Sequence, residues 1–264
     1  MTKAFSDMLN FREEYVAVLG GAGMLGASVV EGLSTFNARP IIVDIDYARG
    51  NALVDKIVQN GGNAEFFFAD MSNPEEIINI IESLEKSYGA ISRWLLSFYP
   101  RTKDWSNRLE DVPVDSWRIN VDSHMNGVCL CASEVANRMA NRGGGSIVNV
   151  GSIYGLVAPN FRNYEGTDMT SPAAYSAIKG GISSYSKYLA SYYGTKGVRV
   201  NTIIPGGIKN NQPDSFVEQY NSRTCLGRLA MPEEIASAVI FLLSNGSSYI
   251  TGIDLPVDGG FLAL

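Results

Sequence analysis

The chain of 264 residues has a single histidine, His124, only three cysteines and no excess of basic charge, with 21 Lys and Arg set against 27 Asp and Glu for a formal net charge of -6. Each shortage excludes a class of function. With no basic stripe to offset the acidic balance, nucleic acid is not an expected partner. Cys129, Cys131 and Cys225 are odd in number, and the Cys-x-Cys pair falls in an apolar helical stretch without partner ligands, so no metal site is expected and all three read as reduced packing residues. No apolar run reaches the ~18 residues of a membrane span, and Met1-Thr-Lys-Ala-Phe-Ser-Asp-Met-Leu-Asn10 lacks the apolar core of a signal peptide. A cytoplasmic protein with no membrane partner is the expectation. No Pro/Ser/Gly tract or internal repeat divides the sequence, which is long enough for one large domain over residues 1–264.

What is present is regular alternation. Strand-like runs at 15–20, 40–44, 64–69, 91–97, 146–151, 198–204 and 253–257 are separated by helical patterns near 24–36, 47–60, 74–88, 113–141, 173–194 and 232–244. Apolar strands alternating with helices predict an α/β fold, a doubly wound parallel sheet with helices on both faces. Pro74 with Glu75 and Glu76, and Pro232 with Glu233 and Glu234, place proline and carboxylates in first helical turns, where a missing N–H costs nothing and negative charge is favoured.

The first strand runs into a glycine-rich turn, Val18-Leu-Gly-Gly-Ala-Gly-Met-Leu-Gly26, that opens a helix. This is the setting of a dinucleotide fingerprint: Gly20 permits the tight turn, Gly23 lets the backbone approach a pyrophosphate, and Gly26 lets the helix pack closely on the sheet. Met24 and Leu25 complete the helix start, whose free N–H groups favour phosphate. About twenty residues on, Asp44 ends the second strand, where a carboxylate accepts both ribose hydroxyls of NAD and repels a 2′-phosphate. Ile45 follows it in place of a basic residue, so NAD is favoured over NADP. Asp46 is the competing carboxylate or a helix cap. Asp70 and Met71, beyond the third strand, would lie beside the adenine, unless Asp70 caps the helix that begins near Pro74.

At the other end of the chain, Ala174-Tyr-Ser-Ala-Ile-Lys-Gly180 sets Tyr175 and Lys179 four residues apart, on one face of a helix, with Ser152 upstream. The ammonium of Lys179 can then favour the ionised phenol of Tyr175. Bringing a phenol from ~10 to ~7 requires about 4 kcal/mol. One cation at ~4 Å in an effective dielectric of ~20 supplies about that much, and an oxidised nicotinamide ring would add a second positive charge. Ser152 has a natural role as a hydroxyl at the reacting oxygen. A dinucleotide fold coupled to an activated tyrosine implies hydride transfer with proton transfer to or from a small-molecule substrate.

These features, with Ala69-Asp70-Met71, Ile147-Val-Asn-Val-Gly-Ser152, Val200-Asn-Thr-Ile-Ile-Pro-Gly206, Gly227-Arg-Leu-Ala-Met-Pro-Glu-Glu-Ile235 and Thr251-Gly-Ile-Asp-Leu-Pro-Val-Asp-Gly-Gly260, resemble the short-chain dehydrogenase/reductase family over essentially the whole chain. The resemblance implies a seven-stranded Rossmann-like sheet, Ser152 as substrate-polarising hydroxyl, Tyr175 as general acid/base and Lys179 as its pKa-lowering, ribose-binding partner. It also implies that Pro205, Gly206 and Ile208 pass the nicotinamide, and that long helices near 113–141 and 173–194 pair between subunits of a homodimer or homotetramer.

The sequence departs from the family in several places. Met24 stands where its standard branch has glycine, Leu96-Ser-Phe-Tyr99 replaces the usual Asn-Asn-Ala-Gly, and Asn210 replaces a threonine that contacts the carboxamide. His124 falls where the family places a fourth catalytic residue, an asparagine that acts largely through its main-chain carbonyl. A histidine can supply the same carbonyl or transfer a proton itself, and Asn120, one turn earlier, is the alternative occupant. Between Ser152 and Tyr175 lie about ten residues more than the family usually has, in an insertion at 158–171. Its Phe161, Arg162, Tyr164, Glu165 and Thr167 suit a polyhydroxylated ring better than a long acyl chain. The run from Pro159 to Thr167, with Tyr99-Pro-Arg101, looks like the branch found in flagellin-modification and nonulosonic-acid sugar pathways. Arg101, Lys103 and Arg162 are candidates to meet an anionic group on the substrate, with Tyr164 beside them, or are simply solvated surface charges on a loop packed on itself. The expected function is an NAD-dependent oxidoreductase interconverting a secondary alcohol and a ketone on a sugar or amino-sugar derivative. The rivals are a 3-oxoacyl reductase and a catalytically idle dinucleotide-binding protein.

Overall fold

The computed structural model describes residues 5–264, so the first four residues of the N-terminal stretch read above lie outside it. A short helix α1 (Phe5–Leu9) leads into β1 (Tyr15–Leu19), α2 (Met24–Thr35), β2 (Arg39–Asp44), α3 (Tyr47–Gln59), β3 (Glu65–Phe68), α4 (Ile77–Tyr88) and β4 (Arg93–Leu96). Then come α5 (Val114–Asn120), α6 (Gly127–Ala140), β5 (Gly145–Val150), α7 (Tyr175–Tyr193), β6 (Val198–Pro205), α8 (Asp214–Asn221), α9 (Pro232–Leu243) and β7 (Asp254–Val257). The seven strands form one parallel sheet in the order β3-β2-β1-β4-β5-β6-β7.

Side chains alternate across a strand, so a sheet covered on both faces needs apolar residues at every position. In β1, Ala17 and Leu19 join the core under α4, α6 and α7, where Trp94, Ile81, Val128 and Ile178 pack. Val16 and Val18 point the other way, into the core under α2, α3 and α9, with Val29, Leu33, Ile57 and Val239. Burying each such side chain contributes roughly 1.5–3 kcal/mol. The predicted doubly wound sheet is therefore the observed one. The helix starts follow the local signals: Asn73 accepts from the amide of Glu75 ahead of Pro74, and Glu234 accepts from the amide of Met231 ahead of Pro232.

Three features differ from the expectation. The predicted helix at 113–141 is interrupted by a π-helical turn, Val121–Asn126, and α8 was not foreseen. Cys131 is buried but Cys225 is exposed, its thiol 3.4 Å from the carbonyl of Gly260, so it is not a core packing residue. Among the described residues no group of acidic, cysteine or histidine side chains is arranged to hold a metal ion, and no helix is long and apolar enough to cross a membrane.

Candidate active site

The sheet order reverses direction between β1 and β4, and a doubly wound sheet leaves a crevice there beyond the carboxyl ends of its strands. The glycine turn forms one lip. Gly20 has a φ of 76°, and a Cβ there would sit 2.7 Å from the amide nitrogen of Phe98, so this turn and the end of β4 approach more closely than any side chain permits. A Cβ on Gly26 would meet the carbonyl oxygen of Gly20 at 2.2 Å, which is the helix-on-strand contact expected of it. Gly23 is the N-cap of α2 and offers no side chain to its amides. The first amides of the helix, at Met24, Leu25 and Gly26, have no acceptor within the helix and are free for phosphate oxygens.

Asp44 points back at this turn: one carboxylate oxygen accepts from the amide of Ala22 at 2.9 Å and the other from that of Asp46 at 3.0 Å. Asp46 caps α3 through the amide of Arg49, the alternative reading given above. Asp70 is exposed and accepts from the amide of Ser72, while Asn73 does the capping, and Met71 is buried behind it. Where the Asn-Asn-Ala-Gly segment is missing, Ser97 holds β4 to β1 by donating both its amide and its hydroxyl to the carbonyl of Leu19. Pro205 ends β6, and Gly206 lies at the cavity described next. Ile208 pairs with Ala230, and Asn210 donates its amide to the side chain of Gln212.

A cavity of about 180 Å³ opens where Ser152, Tyr175, Gly206 and Gly207 meet. Its remaining wall is aromatic: Tyr99, Tyr154, Tyr164, Phe216 and Tyr220, with Ile153, Ser171 and Pro172. The insertion supplies Tyr164 and Ser171. It forms a short turn, Phe161–Tyr164, capped by Asn160 and packed on α8, where the Tyr164 and Phe216 rings lie 5.5 Å apart. This explains why α8 and the insertion belong together: each gives the other its apolar face. Arg101 and Arg162 are exposed and are not among the cavity walls, and neither is Lys103. The guanidinium of Arg101 lies over the Tyr99 ring, 5.5 Å from its centre. Of the four substrate candidates, Arg101, Lys103, Arg162 and Tyr164, the structure brings only Tyr164 to the cavity.

Lys179 is buried directly behind this wall. Its ammonium donates to the carbonyl of Val150 at 2.8 Å and lies 3.4 Å from Nε2 of His124. It sits 5.8 Å from the centre of the Tyr175 ring and makes no hydrogen bond to the phenol, so helical spacing alone does not deliver the direct contact read from the sequence. Burial draws Lys179 down to about 7. Burial pushes the Tyr175 phenol up, the Ser152 hydroxyl draws it back, and the nearby Tyr154 adds to the rise. The Ser152 oxygen also accepts the amide of Tyr154 at 3.2 Å.

His124 lies on the π-helical turn, a feature frequent at functional sites. It is fully buried, and burial first, then the charge of Lys179, holds it well below the usual imidazole range, so it is neutral. A neutral imidazole with Nε2 facing an ammonium is an acceptor there. Its Nδ1 has no partner among the described residues, and its ring stands edge-on to Tyr99 at 4.9 Å. The side chain of the alternative occupant, Asn120, is engaged with Thr102 and Ser116. Trp105 and the cavity residues Tyr154, Phe216 and Tyr220 were not singled out in the sequence, where Tyr99 entered only within two short stretches. Trp105 donates to the Tyr99 hydroxyl at 2.9 Å, and both rings stand edge-on to Tyr175, at 6.3 Å and 6.2 Å respectively. The altered segment after β4 was a signal for Tyr99 alone.

A family model described as enoyl-(acyl carrier protein) reductase matches residues 21–262. The chain is 31% identical to a cyclohexanol dehydrogenase of Acinetobacter sp. over 99% of both chains. It is 30% identical to the post-translational flagellin modification protein A of Campylobacter coli, over 93% of this chain and 97% of that one. A crystal structure of a short-chain dehydrogenase from Leptospira borgpetersenii with bound NAD+ superposes with a TM-score of 0.82 at 33% identity, covering 99% of this chain and 96% of that one. With this glycine turn, this sheet order and these matches, the chain belongs to the short-chain dehydrogenase/reductase family, whose members bind a nicotinamide dinucleotide.

Proposed function

We propose that the protein is an NAD-dependent oxidoreductase that interconverts a secondary alcohol and a ketone on a small ring, such as a sugar or amino-sugar derivative. The observation that carries this reading is the cavity itself: Ser152 and Tyr175 share one small aromatic wall with Gly206, beside the crevice that the glycine turn and Asp44 would offer a dinucleotide. NAD, when bound in that crevice, would supply the hydride acceptor for the carbinol carbon. Ser152 and Tyr175 hold the substrate oxygen, Tyr175 takes its proton as phenolate during oxidation and returns it as phenol during reduction, and the Lys179 ammonium supplies the positive charge that favours the phenolate. His124 and the carbonyl of Val150 hold the lysine in place. A cavity below the ~300 Å³ typical of drug-sized ligands suits a small ring better than a long acyl chain. The relative that oxidises cyclohexanol supports the same size class. An idle binding protein would have no use for Ser152 and Tyr175 at one cavity with Lys179 buried behind them.

The reading is tested by incubating purified protein with NAD and a panel of cyclic alcohols, sugars and amino sugars, following reduced nicotinamide by its absorbance. Cofactor choice rests on Asp44. Wild type is expected to bind NAD more tightly than NADP by calorimetry, and Asp44→Ala to weaken NAD by roughly 1.5–3 kcal/mol while narrowing the gap; tighter NADP binding by wild type would overturn the assignment.

His124 is a positioning residue in this scheme, since its acceptor favours the charged form of Lys179. His124→Phe keeps a buried ring beside Tyr99 but removes the acceptor. The alkaline limb of the kcat–pH profile is then expected to move to lower pH, because the ammonium is less favoured. A profile that stays where it was would assign the role to the main-chain carbonyl instead.

A homodimer or homotetramer completes the proposal. Tyr185, Tyr188 and Tyr192 form a stacked row on α7, with Tyr188, Tyr192 and Leu130 of α6 exposed, as the paired helices of the family resemblance require.

A further inference from the structure

We propose that Tyr154 and Ser171, with Tyr164 beside them, form a subsite that binds a second oxygen on the substrate ring, so that the preferred substrate is an uncharged cyclic polyol or hydroxyketone and not a simple cyclic alcohol. This deepens the function proposed above and rests on it.

Most buried hydroxyls in this fold are committed: Ser146 donates to the carbonyl of Leu242, Ser183 to Asp254, Ser186 to the carbonyl of Ile182 and Ser247 to that of Leu242. Four make no hydrogen bond within 3.5 Å among the described residues, those of Ser28, Tyr154, Ser171 and Thr202, although Tyr154 and Ser171 each lie near enough to the Tyr164 hydroxyl to interact with it. Two of the four, Tyr154 and Ser171, wall the same cavity as the reactive pair. A buried hydroxyl without a partner costs free energy, and natural structures rarely leave one so. Two of them at one cavity is the pattern of a polar subsite kept ready for a ligand.

The chain ties both hydroxyls to the reacting groups. Tyr154 stands two residues after Ser152, and its own amide is the donor that the Ser152 hydroxyl accepts. Ser171 stands four residues before Tyr175, and the intervening turn is closed by the bond from the Tyr175 amide to the carbonyl of Pro172. The Tyr164 hydroxyl is close enough to both to be affected by each: Tyr154 drives its pKa up and Ser171 draws it down, on top of the larger rise from burial. A hydroxyl both donates and accepts, so the set can take a substrate hydroxyl in either sense or accommodate a carbonyl as donors. No Asp, Glu, Lys, Arg or His lies in the wall, so a charged substituent would be buried there without a counter-charge.

The test compares kcat/KM for cyclohexanol, cyclohexanediols and inositol in wild type, Tyr154→Phe, Ser171→Ala and the conservative Ser171→Thr, with NAD present. A site built to hydrogen-bond a substrate hydroxyl discriminates strongly against the analogue that lacks it. Wild type is expected to prefer at least one polyol over cyclohexanol by about 100-fold or more. Tyr154→Phe and Ser171→Ala are expected to reduce that ratio at least about tenfold, mainly through KM, and Ser171→Thr to restore most of it. If wild type oxidises cyclic alcohols but the ratio is unmoved in both variants, or cyclohexanol is the better substrate, the subsite is refuted while the oxidoreductase reading stands. If no cyclic alcohol is turned over at all, both fall. Thermal denaturation of each variant separates a lost subsite from a lost fold: a lower melting temperature with an unchanged ratio assigns the two hydroxyls to the fold alone and also refutes the subsite.

Discussion

Replacing Tyr175 with phenylalanine is expected to reduce turnover at least ~100-fold, since general acid/base groups typically contribute about 10²–10⁴-fold. The phenol shares the cavity wall with Ser152, whose hydroxyl interacts with it. Phenylalanine keeps the ring that packs edge-on to Tyr99 and Trp105, so the wall should survive. The cofactor affinity measured by calorimetry should change little, because Tyr175 lines the cavity and not the glycine turn. A variant that keeps most of its rate would show that the proton leaves by another route.

Lys179→Met is expected to separate activity from stability in opposite directions. Turnover should fall by at least ~100-fold through the loss of the charge beneath Tyr175. Stability should rise, because the lysine is buried with one carbonyl and one neutral imidazole for company. The sign follows from its pKa, held at about 7 in the folded protein against its ordinary 10.5. Between those values the unfolded chain binds more protons, so the lysine's destabilising effect is fully present below about pH 7 and fades as pH rises toward the unfolded value. The gain in melting temperature of the variant should therefore be larger near pH 6 than near pH 9, at roughly 2–4 °C per kcal/mol for a chain of about this size. A variant less stable than wild type at both pH values would mean that the lysine contributes to the fold more than its burial costs.

The sheet was readable because its strands are covered on both faces, so β1 shows Tyr15-Val-Ala-Val-Leu19 as an unbroken apolar run. Glycine at positions 20 and 26 was readable for a related reason, that backbone approaches this close exclude every other residue. The π-helical turn at His124 was not, since an extra residue in a helix leaves the apolar period almost unchanged over one turn. Helix α8 was missed because its buried face is only Phe216 and Tyr220 and its partner is the insertion, a contact made in three dimensions. The spacing of Tyr175 and Lys179 correctly put both on one helix face. Where the ammonium goes, to Val150 and His124, depends on neighbours far away in the chain. Arg162 of the insertion looked like a substrate ligand by composition, yet the loop turns Tyr164 inward and leaves Arg162 in solvent.

The central claim is that Ser152 and Tyr175 oxidise a secondary alcohol on a small ring with NAD as the acceptor. It is tested most directly by following the absorbance of reduced nicotinamide when wild type and Tyr175→Phe are each mixed with NAD and a panel of cyclic secondary alcohols. The account predicts formation of reduced nicotinamide by wild type with at least one of them and almost none by the variant, with both proteins binding NAD. Equal rates in the two proteins, or NAD binding with no oxidation of any cyclic alcohol by wild type, would contradict it.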